Sequence, residues 1–365
     1  MAKEIENIFS GNILADSLIQ LKDGRLIFYY FRGSSIISIY DSKTFHKLFE
    51  VYLFKLIQDL EKENESKNTE DWKIYFYYFK KKSIKELDND EILIGYDKYL
   101  FELNKNNKSY NCQVIKKMDN NILDINEISD KRLIIITNQE FVVLKKENLE
   151  YIIKEKYPMK DNWKIIPMSS TNICYDKFNQ YFSTYVLPKD KLLLNSFSTE
   201  VSYNRGCATH PPREISNSKI IFIDLKNFEE ITSTKTFEID AKYIIFENII
   251  AIQAYDEVII YDINSLKIIN NIKLKKCHGY MYKFDEHYIL TLPINEEKNT
   301  LTIYKRENND LIECNRIETN ISYKKYYRRL GYPKKKYNNK FLLKLKDKRI
   351  IIICHNKINL LKLEI

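Results

Sequence analysis

Apolar residues along this chain come in short runs rich in Ile, Leu, Val, Tyr and Phe, broken by Asp, Asn, Glu, Lys or Ser. The stretch from Ala241 to Leu274 shows the pattern most clearly, with runs at Tyr243–Phe246, Ile249–Gln253, Val258–Tyr261 and Lys267–Leu274. β-Branched and aromatic side chains suit a pleated surface, while Asn and Asp suit the tight turns between strands. The stretch therefore predicts four short antiparallel strands in one meander.

Six other segments fall into register with it at the turn between the first two strands. They are LIQLKDGRLIFYY from Leu18, IKELDNDEILIGY from Ile84, INEISDKRLIIIT from Ile125, YVLPKDKLLLNSF from Tyr185, YKFDEHYILTL from Tyr282 and LLKLKDKRIIIIC from Leu342. A third apolar run follows each, as in SIISIYD ending at Asp41, YLFELN at Tyr99 and TLTIYK at Thr300. Recurrence on this scale means stacked supersecondary units of about 40–45 residues, roughly seven of them.

The third-strand endings Ile39-Tyr40-Asp41, Ile223-Asp224 and Ile260-Tyr261-Asp262 stand where the WD40 family writes its Trp-Asp dipeptide. In these residues the chain resembles the WD40 class of β-propeller in a degenerate form, with no Gly-His and no Trp-Asp dipeptide. The resemblance implies an all-β fold: a seven-bladed β-propeller of four-stranded antiparallel blades. The last unit ends at Ile365 after its third strand, while a spare apolar segment, Ile5–Phe9, precedes the first. The N-terminal strand is expected to complete the last blade and remove exposed sheet edges. One domain spanning residues 1–365 follows.

Antiparallel strands put the turns between strands one and two, and three and four, on one face. Connections between strands two and three, and from one unit to the next, open on the other. The long pieces, Phe54–Trp72, Met159–Phe182, Thr199–Ser218 and Asn320–Lys340, all belong to the second face. Phe54, Leu56, Ile57 and Leu60 have helical spacing, so the first insert opens as a short amphipathic helix followed by a charged loop. Trp163, Ile165, Ile166 and Met168 make the second an apolar plug. Loops on a rigid scaffold are where binding groups sit, so this face is the expected working surface.

Composition narrows the chemistry. Seven glycines leave little room for phosphate cradles, and neither a P-loop nor a G-x-G-x-x-G motif occurs. The five histidines stand in no recognisable nucleophilic or acid–base constellation, and the turn aspartates recur once per unit as turn chemistry demands. Cys207 and His210 have ligand-like spacing, but a zinc site wants four ligands and no second pair is evident. We expect no enzyme, no cofactor and no metal. The six scattered cysteines, the absence of an apolar span and of a signal-like N-terminus point to a chain with reduced thiols in the cytoplasm, or the nucleus.

The strongest functional signal is the last insert. Asn320–Lys340 carries Lys324, Lys325, Arg328, Arg329, Lys334, Lys335, Lys336 and Lys340 without an acid, and Tyr323, Tyr326, Tyr327, Tyr332 and Tyr337 are interleaved. The chain carries +9 overall, and without this insert it is nearly neutral. Cations neutralise phosphates and aromatic rings stack on bases or sit at membrane interfaces, so nucleic acid, an acidic protein and an anionic membrane are all admissible partners. A merely solvated loop is the competing reading. Arg328-Arg329-Leu330-Gly331 also resembles a distorted form of the Arg-Arg-Gly motif of phosphoinositide-binding propellers. Arg205 and Arg213 of the third insert join these as candidate partner-binding residues. The expected function is a non-catalytic protein–protein interaction scaffold using the elaborated face, with polyanion binding through residues 320–340 as the alternative.

Overall fold

Among the described residues, twenty-eight strands form seven four-stranded antiparallel sheets. The computed structural model describes residues 5–12, 17–30, 35–64, 84–106, 109–163, 175–202, 213–237, 241–254, 257–274, 279–293, 299–319, 340–347, 349–354 and 357–363. Blade 1 consists of Ser17–Gln20, Leu26–Tyr30, Ile36–Tyr40 and Lys47–Tyr52. Blade 2 holds Ile84–Glu86, Ile92–Tyr96, Tyr99–Asn106 and Ser109–Lys117. Blade 3 holds Ile122–Glu127, Leu133–Thr137, Glu140–Glu147 and Glu150–Pro158. Blade 4 holds Tyr175–Leu187, Lys191–Ser202, Arg213–Asp224 and Glu229–Ser233. Blade 5 holds Lys242–Ile245, Ile249–Ala254, Glu257–Asp262 and Ile268–Lys273. Blade 6 holds Gly279–Lys283, Tyr288–Pro293, Asn299–Glu307 and Asp310–Thr319.

Blade 7 takes Lys340–Lys344, Arg349–Cys354 and Lys357–Leu363 from the C-terminal end of the chain, and its fourth strand is Ile5–Asn12. Ile5 lies opposite Leu363 and Asn12 opposite Lys357. The N-terminal strand therefore pairs where the strand count requires.

Seven hydrophobic clusters hold the ring, each shared by one blade and the next. Ile27 and Ile39 of blade 1 pack with Ile94 and Phe101 of blade 2. Phe222 of blade 4 packs with Ile250 and Tyr261 of blade 5. The last cluster joins Leu345, Ile351 and Leu360 of blade 7 to Leu18, Leu26 and Phe28 of blade 1. The second strands are buried on both faces, which is why Leu133–Thr137 and residues 350–352 read as nearly continuous apolar runs. Each fully buried Ile or Leu contributes about 1.5–3 kcal/mol of transfer free energy. Polar tethers sit among these contacts. Gln20, Glu86, Glu127 and Glu286 each accept from a backbone N–H of the preceding blade, at Lys346, Lys22, Asp88 and Glu247, over 2.6–3.0 Å.

Every outer strand carries a β-bulge. The extra residues are Leu48, Ile115, Lys154, Ile231, Ile269, Cys314 and, in the N-terminal strand, Ile8. A bulge bends and twists an edge away from flat pairing. It also turns residues outward that an alternating pattern would bury: Leu48, Ile231 and Ile269 are 45%, 45% and 41% exposed. That the N-terminal strand carries the same feature marks it as an ordinary fourth strand.

The turn aspartates do what turn chemistry asks. Asp23, Asp130 and Asp347 each accept from the backbone N–H two residues on and pair with an arginine there, Arg25, Arg132 and Arg349. Gly24 supplies the left-handed residue of the first of these turns, with φ at 93°.

Candidate interaction face

Three described elements leave the ring on the side where strand two joins strand three and one blade passes to the next. The first is helix α1, Leu53–Asn64. Leu53 and Ile57 lie one turn apart and are buried over the blade 1–blade 2 cluster, with Leu56 packed beside them. The Leu53 N–H donates to Ser35 O at 3.0 Å, which fixes the start of the helix. Glu61 accepts from the Tyr99 hydroxyl at 2.5 Å. Burial, together with the Glu61 carboxylate, pushes the Tyr99 phenol well above its ordinary range. The solvent side of the helix shows Lys55, Gln58 and Asp59.

The second element is the short 3-10 turn Asp161–Trp163 between blades 3 and 4. Trp163 is fully buried, meets Phe141 edge-to-face at 5.8 Å, and donates from Nε1 to Glu230 Oε2 at 2.9 Å. Of the residues expected to form an apolar plug, Trp163 packs in the cluster between blades 3 and 4, while Ile165, Ile166 and Met168 lie outside the described residues.

The third corrects the expected boundaries. Residues 175–182 and 199–202 are not loop, nor are 213–218: all extend the strands of blade 4. Thr199 pairs with Ser216 and Ser202 with Arg213 in one unbroken register that runs back to Lys191 and Asp224. Its strands of 12 and 13 residues stand against 4–6 in blade 5. Ser, Thr and Asn make the extension read as loop, yet strand pairing satisfies its backbone.

At the base of this ribbon lies a polar cluster on the innermost strands. Asp124 Oδ2 accepts from both the Thr184 N–H and its hydroxyl, at 2.7 and 3.0 Å. Asn126 donates to Thr184 Oγ1 at 2.5 Å, and the Tyr243 hydroxyl donates to Thr184 O at 3.4 Å. Burial first, and the Asp124 charge second, push the Tyr243 phenol well above its ordinary range, against a smaller lowering by a hydrogen bond with Ser183. Asp124 is committed to Thr184, and the cluster braces blades 3, 4 and 5 together. Among the described residues, no three His, Cys, Asp or Glu side chains gather as metal ligands would.

Of the sequence-predicted site residues, Arg213 opens a blade 4 strand opposite Ser202. Arg205, Lys324, Lys325, Tyr327, Arg328, Arg329, Lys334, Lys335 and Lys336 lie outside the described residues, as do Cys207 and His210. The segment that holds the basic cluster leaves from Thr319 and returns at Lys340, which begins the innermost strand of blade 7.

Among the described residues the opposite side carries short turns. After strand three, Asp41 and Asp262 accept from the backbone N–H and the hydroxyl of Thr44 and Ser265, at 2.6–2.9 Å. The turn then closes on an apolar residue with positive φ: Phe45 at 54°, Phe228 at 57° and Leu266 at 56°. Phe228 and Leu266 are buried between blades, so packing holds a conformation that costs a β-carbon about 1 kcal/mol. This Asp-x-x-x-apolar signature recurs in blades 1, 4 and 5, and the sequence pattern alone did not reveal it.

No protein-family model matches the chain, and no curated protein matches it in sequence. Solved structures do resemble it. A streptogramin B lyase structure is 10% identical with a TM-score of 0.54, the match covering 99% of this chain and 98% of that one. A virginiamycin B lyase from Staphylococcus aureus is 11% identical with a TM-score of 0.53, covering 99% and 100%. A Dos1 propeller is 9% identical with a TM-score of 0.50, covering 96% and 78%. At such identities the likeness is one of fold, and the chain is a β-propeller. Among the described residues no helix is long and apolar enough to cross a membrane.

Proposed function

We propose that this chain is an interaction scaffold: a single propeller domain of residues 1–365 that presents one elaborated face to protein partners. The observation that carries this reading is the asymmetry of the connections. On one side short turns follow one another, built on Asp41, Asp130, Asp224 and Asp262. From the other side depart helix α1, the Trp163 turn and the blade 4 ribbon, together with the segment that carries the basic cluster. Insertions confined to one side of a rigid support are what partner recognition produces. Kinship with WD-repeat proteins is part of this proposal, supported by Asp41, Asp224 and Asp262, which end their third strands in the family's Asp position. So is a cytoplasmic or nuclear location.

The test compares partner capture by two variants. Lys55→Glu with Gln58→Glu alters the exposed side of helix α1, and Lys43→Glu with Lys226→Glu alters the turn side. Co-purified proteins should be lost with the first and kept with the second; the reverse pattern refutes the assignment of the face. The second reading is a polyanion binder. It is favoured by the eight cations, with no acid among them, and the interleaved tyrosines of residues 320–340. Arg328→Ala with Arg329→Ala should then weaken nucleic-acid or anionic-vesicle binding and flatten its salt slope by about one unit for each phosphate no longer neutralised.

A further inference from the structure

We propose that the cleft between the innermost strands of blades 6 and 7 is a binding site for a small carboxylate with an apolar body, held by Lys344.

The cleft has a volume of about 500 Å³ and is lined by Tyr282, Lys283, Phe284, Asp285 and Glu286 of blade 6 and by Leu342, Leu343 and Lys344 of blade 7. Small-molecule sites occupy about 300–1,000 Å³. Both walls are described without a gap, over residues 279–293 and 340–347. The cleft lies near the turn between strands one and two, on the side away from helix α1. It therefore stands apart from the partner-binding face proposed above.

The sequence explains why this seam is open. In blades 1, 2 and 3 the innermost strand ends on Gln20, Glu86 or Glu127, opposite Leu26, Ile92 or Leu133 of the second strand. Each of these side chains accepts from a backbone N–H of the preceding blade, at Lys346, Lys22 or Asp88, and ties the two blades together. Lys344 holds the same register position in blade 7, opposite Ile350. An ammonium has no lone pair with which to accept. The corresponding N–H of blade 6, at Asp285, bonds within its own turn to Tyr288 O at 3.2 Å. Lys344 Nζ lies instead over the Phe284 ring, 4.4 Å from its centroid.

The other charges of the lining are already engaged. Asp285 accepts from the His287 and Tyr288 N–H groups at 2.8 and 2.9 Å. Glu286 accepts from the Glu247 N–H at 3.0 Å and pairs with Lys283, which also donates to Ile245 O at 2.8 Å. Among the described residues no carboxylate pairs with Lys344, which leaves one uncompensated cation in the lining. An arriving carboxylate can accept a charge-assisted hydrogen bond from it. Half-buried Tyr282 and Leu343 supply apolar surface for the rest of the ligand. A cationic ligand would meet Lys344 as a like charge, and a wholly apolar one would leave it unpaired.

The probes are phenylpropionate, its amide and phenylpropylamine, titrated by calorimetry and ligand-observed NMR on the full chain, on Lys344→Met and on Lys344→Glu. Lys344→Met keeps the stem against Phe284 and removes the charge. Expected is a dissociation constant below about 5 mM for the acid, with binding at least about fivefold weaker for the amide and for the acid on Lys344→Met. Lys344→Glu should prefer the amine. A photoreactive diazirine analogue of the acid should cross-link to the lining residues of blade 6 or blade 7, a readout that needs no variant to fold. Equal binding of acid and amide overturns the site, as does unchanged affinity in Lys344→Met. So do cross-links confined to other residues, or no binding of the acid at about 5 mM. Each of these failures leaves partner capture through helix α1 untouched.

Discussion

Replacing Trp163 by Ala should cost this protein about 4 kcal/mol. The indole is fully buried where blades 3 and 4 meet, with Phe141 at 5.8 Å and Phe182, Leu194 and Ile221 in the same cluster. A buried Trp removes up to about 250 Å² from water, which at about 25 cal/mol per Å² sets an upper bound near 6 kcal/mol. Truncation to Ala keeps the β-carbon and lets the site relax, and measured losses for such changes run at about 3–5 kcal/mol. The lost hydrogen bond to Glu230 adds roughly 1 kcal/mol at most, because that carboxylate regains water. For a chain of 365 residues the unfolding entropy is about 0.77 kcal/mol/K, so the midpoint should fall by about 5 °C. Trp163→Phe keeps the edge-to-face contact with Phe141 and should recover more than half of the loss. Urea denaturation followed by circular dichroism, beside calorimetry, measures both. A Trp163→Ala protein within about 0.5 kcal/mol of the parent would show that the turn does not seal this blade interface.

Removing residues 1–12 should expose the outer edge of Lys357–Leu363 and send the protein into higher oligomers by light scattering; a monomer of unchanged melting temperature would refute closure by Ile5–Asn12. Gly95→Ala should cost about 1–3 kcal/mol, since its β-carbon would sit 2.5 Å from Ile122 Cγ2 across the blade 2–blade 3 interface, and a neutral result would disprove that close approach. Hydrogen bonds from Thr44 and Ser265 hold the Asp41 and Asp262 carboxyls below the ordinary carboxylate range. A folded-state pKa below the unfolded one gives stability that is present above about pH 3.9 and is lost as pH falls through the folded value. Denaturation midpoints taken from pH 7 downward should therefore fall less steeply in Asp41→Asn with Asp262→Asn than in the parent protein.

The seven-fold repeat was legible because each first turn puts a polar residue, usually Asp, between two apolar runs, and because those runs are too short to be helices. Closure was legible from strand counting, with one spare segment at Ile5–Phe9 and one missing strand at Ile365. The opening of helix α1 could be read from the spacing of Leu56, Ile57 and Leu60. What escaped was whatever breaks the two-residue period. A bulge adds one residue, so Leu48-Phe49 and Ile268-Ile269 read as plain apolar pairs and the outward turn of Leu48 and Ile269 stays hidden. Phe45, Phe228 and Leu266 adopt a conformation that local propensity disfavours and burial enforces. The blade 4 extension escaped for the opposite reason: Ser196, Ser198, Asn217 and Ser218 are buried in strands although their composition suggests a loop. The candidate site was legible as a face, from the placement of the long connections, and not as a set of contacts.

Hydrogen–deuterium exchange on the complex of this chain with a captured partner tests the assigned face most directly. The interaction role predicts slowed exchange in helix α1, Leu53–Asn64, and in the ribbon strands Lys191–Ser202 and Arg213–Asp224, with no change at Asp41–His46 or Asp262–Lys267. Protection confined to those turns, with helix α1 and the ribbon exchanging as in the free protein, would contradict it.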